Sequence, residues 1–539
     1  MKEKKEISKK IKEIFKRILA FTGSAATFLL PGCDAAQQQD NKYNEDERTS
    51  FVDSLREDVP TTESELDKIV EQGTLDNNKE TITESNTQST IVDNLEEEKA
   101  LYNKLLNNFN KEFNKKEFSE KAYIYMKEIF DNMFGNYDKW KQINKDLPSK
   151  EKYITDNLIN NIKHIRNINF YAIDSKEAQE GLDNGYGLAY TNSDFEITVI
   201  YDESSEKNFD IEVLRLAHEL EHIDQKNIAF NSNYFEEYPY MRDILVEGGA
   251  SSKMKYMSKP KVEKISGYLI ESGNYTLEYK NDTGEGYPLE MNLYDNIMLL
   301  VGYDLMEKID SGEQPIESIK SAIERWYGAQ TANKVFTELE NLYNAKEENN
   351  NKAQMEAAVY LQKEFLGCIE KDIDKLQNKE DVIKYTNIYR SYKINNLAKV
   401  YRNNNEITDE YFNIEKIDKK MTDKINQTKA FDLCEDKEEN EKALRCLLYT
   451  TNQYFYQKDG IYQGIYITPN LYDTSYEYRN GKLILYYENV TEYEPAKGYK
   501  LVEMQIDNSD EVQVKETNEK SSNLKPIIKN VVYKNENIR

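Results

Sequence analysis

Residues 211–222 read Ile211-Glu212-Val213-Leu214-Arg215-Leu216-Ala217-His218-Glu219-Leu220-Glu221-His222. Ile211, Leu214, Leu216, Ala217 and Leu220 give this stretch an apolar helical face, and Asn208 or Asp210 can cap its start. On a helix, positions four apart differ by about 40° around the axis, so His218 and His222 face the same way. Two imidazoles can then reach one metal ion, and Glu219 stands beside it as a general base. The chain has only three histidines. A chance pair at this spacing with Glu between is expected at a frequency on the order of 10⁻³.

Upstream of this helix the pattern predicts a small mixed sheet. Asn169–Ile173 and Gly187–Tyr190 are strand candidates, and Phe195–Tyr201 is the strongest strand of this half. From Leu95 to about Asn167 the apolar period is helical, as in Leu101, Leu105, Leu106 and Phe109. Downstream, helices are expected at about 239–258, 286–309, 313–327, 330–345 and 353–371, with three more to about residue 455. Period-two, Tyr-rich segments run from Gly460 to Ile506, with Asn480-Gly481 as a hairpin signal. The 12 tyrosines between residues 449 and 499 read as half-buried sheet rather than as a binding face. The last 25 or so residues read as a frayed tail. The fold class expected is α+β and mostly helical.

The chain begins with a basic segment carrying Lys2, Lys4, Lys5, Lys9, Lys10, Lys12, Lys16 and Arg17. An apolar stretch from Ile18 to Leu30 follows, too short and too interrupted for a spanning helix. It ends in Leu29-Leu30-Pro31-Gly32-Cys33, which resembles the lipobox of bacterial lipoproteins. That resemblance implies a signal peptide over 1–32, cleavage before Cys33, and a lipid anchor on Cys33 that holds the chain at the outer face of the cell membrane. The net charge of −26 becomes about −31 once eight basic and three acidic leader residues are removed. Such a surface excludes nucleic acid and anionic lipid as ligands. Residues 33–94 are polar and acidic and read as a disordered tether. The folded part divides into 95–375 around the metal motif and a C-terminal helical and β region over 376–539, whose role the sequence leaves open. Of the remaining cysteines, Cys434 and Cys446 either pair or stay buried thiols beside Cys368.

Two histidines do not complete a catalytic metal site, which needs a third protein ligand. No histidine follows His222, so the third ligand must be a carboxylate. The metzincin pattern requires Gly and His where this chain has Gln225 and Ile228, and is excluded. Glu247, 25 residues past His222, is the leading candidate. It precedes Gly248-Gly249 inside an expected helix begun by Pro239. Two interior glycines weaken a helix by about 2 kcal/mol relative to alanine. Close packing against the metal helix would justify them. Glu236, Glu237 and Asp243 are alternatives. Ser251 and Asp243, one turn from Glu247, are placed to orient a ligand. His164 lies on a charged helical stretch and reads as a surface or partly buried histidine rather than a ligand.

H-E-x-x-H with a helix-borne Glu some two dozen residues later resembles the gluzincin metallopeptidases, on His218, Glu219, His222 and Glu247 and over roughly residues 165–260. The resemblance implies a zincin-like domain, one bound Zn²⁺ and hydrolysis of a protein or peptide substrate. It also implies that an edge strand, here expected at 195–201, binds the substrate backbone. Two departures stand out. Ser251 occupies the position where the thermolysin type has Asp, and the downstream histidine that stabilises the oxyanion in that type has no counterpart. That group must then be Tyr, Arg or backbone. Tyr234, Tyr238, Tyr240, Arg242, Tyr294 and Tyr303 are candidates, with Tyr294 and Tyr303 preferred. Two other readings compete: a non-catalytic surface lipoprotein, adhesin or ligand-binding, on the same scaffold, and a purely structural zinc site. The presence of Glu219 speaks against both.

Overall fold

The computed structural model describes residues 84–135, 137, 140, 153–202, 209–257, 267–279 and 286–449, and further strands between 454 and 526. The leader, Cys33 and the tether as far as residue 83 lie outside the described residues. The described chain is mostly helical with small sheets.

Helices α1 (Glu84–Phe113), α2 (Glu120–Phe134) and α3 (Tyr153–His164) come first. Helix α1 starts within the stretch expected to be tether. Ser119 caps α2, its Oγ accepting from the Ala122 amide at 3.3 Å. Strand β1 (Asn167–Ala172), helix α4 (Lys176–Asp183) and strands β2 (Ala189–Thr191) and β3 (Glu196–Tyr201) follow. The sheet order is β1-β3-β2, with β1 parallel and β2 antiparallel to β3.

One expectation is corrected here. The 195–201 strand is the centre of the sheet, not its edge. Residues 197–200 are all buried, as a strand covered on both faces and flanked on both sides must be. The edge is β2.

Helix α5 (Phe209–Asp224) packs under this sheet. Val213, Leu214, Leu216, Ala217, Leu220 and Ile223 join Ile197, Val199, Met126, Ile129, Leu158 and Ile162 in a first core.

The helix expected over 239–258 is three pieces: a tight turn at Pro239–Met241, a π turn at Ile244–Gly248, and α6 (Gly249–Met257). Strands β4 (Tyr268–Ser272) and β5 (Tyr275–Tyr279) form a hairpin. The helix expected over 286–309 breaks into α7 (Pro288–Val301) and α8 (Tyr303–Asp310) at Gly302, whose φ of 88° suits glycine. Four more helices follow: α9 (Glu317–Tyr327), α10 (Ala329–Glu347), α11 (Asn351–Lys375) and α12 (Lys379–Asn395). After them come β6 (Lys399–Arg402), β7 (Asn405–Glu406), α13 (Ile414–Thr428) and α14 (Lys437–Tyr449).

Strand β5 pairs with β6, Leu277 opposite Val400. A second core runs without a break from Ile228 through α14 to Tyr476. The division expected at residue 375 therefore falls inside one continuous core. Beyond α14, β8 (Tyr454–Lys458) and β9 (Ile461–Ile465) pair antiparallel. Strands β10 (Ser475–Arg479) and β11 (Lys482–Glu488) pair around residues 480–481, with Arg479 opposite Lys482. Lys525–Pro526 also pairs with β10, within the stretch expected to be tail. No helix among the described residues is long and apolar enough to cross a membrane.

Candidate metal centre

Helix α5 is half inside the first core, and that fixes the rotation of His218 and His222. Their Nε2 atoms lie 3.1 Å apart. Glu247 comes from the π turn, whose Ile244, Leu245 and Val246 belong to the second core. Its Oε2 lies 3.2 Å from His218 Nε2 and 3.7 Å from His222 Nε2. The site thus sits where the two cores meet.

The donor set fits zinc. Bonds of about 2.0–2.1 Å in a tetrahedron give donor–donor edges of about 3.3–3.4 Å, bracketed by the three distances above. Two imidazole nitrogens and a carboxylate oxygen are also the ligand types zinc takes. His222 Nδ1 is 3.0 Å from Gln225 Oε1, and His218 Nδ1 is 3.5 Å from Ser251 Oγ. With its Nδ1 facing an amide oxygen, the His222 ring turns its Nε2 lone pair inward, and the Ser251 hydroxyl, which can accept as well as donate, allows the same of His218. Three converging acceptors repel one another unless a cation lies among them.

Glu219 lies about 60° round α5 from His222, on the side that meets β2. The Thr191 hydroxyl, on β2, donates to its Oε2 at 2.8 Å. Burial pushes its carboxyl up to about 7, against the opposing pull of His222 and the Thr191 bond. A carboxylate tuned so close to neutrality can both take and return a proton.

The glycine pair has two separate reasons. A Cβ on Gly248 would lie 2.4 Å from the Glu290 carbonyl oxygen of α7. One on Gly249 would lie 2.8 Å from Gln225 Nε2 and 3.1 Å from the Tyr294 ring. Only Gly249 therefore faces the end of the metal helix.

The preferred tyrosines are placed otherwise than the oxyanion role requires. The Tyr294 hydroxyl donates to Asp310 Oδ2 at 2.5 Å, so its proton is committed there. Asp310 in turn pairs with buried Lys253 at 2.8 Å, and Lys253 reaches Glu221 of α5 at 3.5 Å. Tyr303 is buried in the first core. Tyr234 donates to backbone carbonyls, at 2.6 Å to that of Gln314. Glu236 and Glu237 are exposed, and His164 is exposed at the end of α3.

Three residues beside the site carry no signal as site residues in the sequence: Thr191, Gln225 and Tyr287. The Tyr287 ring stacks on His218, centroids 5.9 Å apart. Its amide donates to Ser251 Oγ at 3.3 Å. The charge of Glu247, then burial, then the charge of Glu219 push its phenol well above the usual range, so it keeps its proton. Its only local mark is Pro288, which restrains the residue before it to extended backbone.

Comparison with protein-family models, with curated proteins and with solved structures finds no match.

Proposed function

We propose that this protein is a zinc-dependent peptidase of gluzincin type that cleaves peptide bonds in protein or peptide substrates. The observation carrying this is the convergence of His218, His222 and Glu247 within 4.8 Å, with a proton-accepting Glu219 one residue along the same helix.

Zinc held by His218, His222 and Glu247 would supply Lewis acidity toward a carbonyl and make a neighbouring water more acidic. Glu219 takes the proton of the attacking water and passes it to the leaving amine. Thr191 holds the Glu219 carboxylate in place for both transfers. Tyr287, protonated and beside Glu247 and Glu219, is the side chain best placed to donate to the developing oxyanion.

Strand β2 offers the place for substrate. Ile200 N donates to Leu188 O at 2.8 Å, and Asn192 N to Glu196 O at 3.1 Å. In an antiparallel ladder the bonded residues alternate, so the amides and carbonyls of Ala189 and Thr191 point away from β3. An extended peptide can pair there and bring its scissile bond to Glu219.

The test is zinc content and cleavage of a mixed peptide library by the wild type and by Glu219→Gln. Wild type is expected to bind zinc and cleave, and Glu219→Gln to bind zinc and not cleave. Zinc bound by both with cleavage by neither refutes the enzyme reading. Anchoring through Cys33 is a separate proposal, supported by the lipobox-like Leu29–Cys33. Cys33→Ala should then shift the protein from the membrane fraction to the medium, and an unchanged distribution would refute it.

A further inference from the structure

Gln225 follows helix α5 directly and is fully buried. It occupies the position that set this chain apart from the metzincins, and it contacts both halves of the metal centre. Its Nε2 donates to the Leu245 carbonyl at 2.9 Å. Leu245 lies in the π turn, two residues before Glu247. Its Oε1 lies 3.0 Å from His222 Nδ1.

These two contacts determine each other. A carbonyl oxygen only accepts, so the amide must turn its NH₂ toward Leu245. The amide oxygen then faces His222, and an oxygen only accepts, so His222 carries its proton on Nδ1. In a neutral imidazole the remaining lone pair is then on Nε2, the atom that faces His218 and Glu247. One backbone carbonyl on the second core thus selects the tautomer of a histidine on the first. π turns recur at functional sites because they move a side chain out of helical register, and this one needs an outside tie to hold its place.

We propose that Gln225 is a positioning residue that fixes the His222 tautomer and the Glu247 turn together, as one brace across the two cores. The proposal rests on the metal-site reading above. Gly249 belongs to the brace, since a Cβ there would meet the Gln225 amide nitrogen at 2.8 Å.

The experiment measures zinc Kd by competition with a chelating dye, and the histidine tautomers of the metal-free protein by ¹⁵N NMR. Gln225→Met keeps the length and removes both hydrogen bonds. Its zinc Kd is expected to rise about 10–100-fold, with His222 becoming a mixture of tautomers. Gln225→Glu keeps the acceptor toward His222 but sets an oxygen against the Leu245 carbonyl. It should preserve the tautomer and still weaken zinc. A merely structural role would leave the tautomer unmoved. Wild-type Kd and a single Nδ1–H tautomer in Gln225→Met overturn the proposal. If Gln225→Met does not fold, Gln225→Glu and Gly249→Ala decide: both weaken zinc if the brace is real, and wild-type Kd in both overturns it. A wild type that binds no zinc would overturn the metal-site reading itself, a separate failure.

Discussion

Replacing glycine by alanine inside a helix ordinarily stabilises it, and Gly248 and Gly367 should answer that change with opposite signs. At Gly248 the new methyl would lie 2.4 Å from Glu290 O, 2.6 Å from Glu290 C and 3.1 Å from Met291 N. Ordinary contact begins near 3.4 Å, so α7 and the π turn must separate by about 1 Å. The obstacle is backbone and cannot rotate away. Overpacking of this kind destabilises by about 1–3 kcal/mol, offset by about 1 kcal/mol of helix propensity. A net loss of up to about 2 kcal/mol is expected, measured by urea unfolding. The consequence for metal is larger, because ligand distances tolerate only about 0.2 Å and Glu247 is the adjacent residue. Zinc Kd should rise at least about tenfold. At Gly367, in α11, nothing lies within 4 Å of where the new methyl would sit, so alanine should add up to about 1 kcal/mol and leave zinc unchanged. Wild-type stability and zinc affinity in Gly248→Ala would refute the close-approach argument.

Three further outcomes are expected. Lys253→Met leaves buried Asp310 and Glu221 without the cation between them, and should destabilise by about 3–5 kcal/mol. Adding Asp310→Asn should restore part of that loss in urea unfolding; no recovery would refute the pairing. Burial raises the carboxyl of Glu212, which accepts from the Tyr125 hydroxyl, above its unfolded value near 4.5. The folded state therefore holds the proton longer than the unfolded chain. This group makes stability fall as pH rises from about 4.5 to the folded value, and Glu212→Gln should remove that fall. A pH profile of unfolding identical to wild type would count against it. Tyr287→Phe should lower kcat about 10²–10³-fold with little change in KM, because the lost hydrogen bond serves the transition state alone. A kcat within twofold of wild type would remove Tyr287 from the chemistry.

Local pattern and long-range contact differ in how far a sequence displays them. The helix of His218 and His222 is legible because the two must share a face, and Ile211, Leu214, Leu216, Ala217 and Leu220 state which face is buried. Glu247 is legible because two glycines beside it demand a reason. The reason itself is only half legible, since Gly248 answers to the Glu290 backbone and Gly249 to Gln225 and Tyr294. The π turn has no local signature, because the tie at Leu245 comes from a residue 20 positions away. Periodicity identifies the 195–201 strand but not its place in the sheet. The clue to a central position is Ile200, apolar on the face opposite Ile197 and Val199. Tyr287 escapes notice because its role comes from stacking on His218, 69 positions earlier in the chain.

The three side chains that could hold a metal ion join two cores, yet they are near neighbours along the chain. His218 and Glu247 are 29 residues apart, whereas Tyr401 reaches Glu278 in the second sheet across 123. Closing the shorter loop is favoured by about 1.3 kcal/mol of chain entropy. The triad can therefore form before the distant strands have found each other, and a metal ion captured at that stage would act on the folding chain as a clasp, holding the first core against the segment from which the second grows.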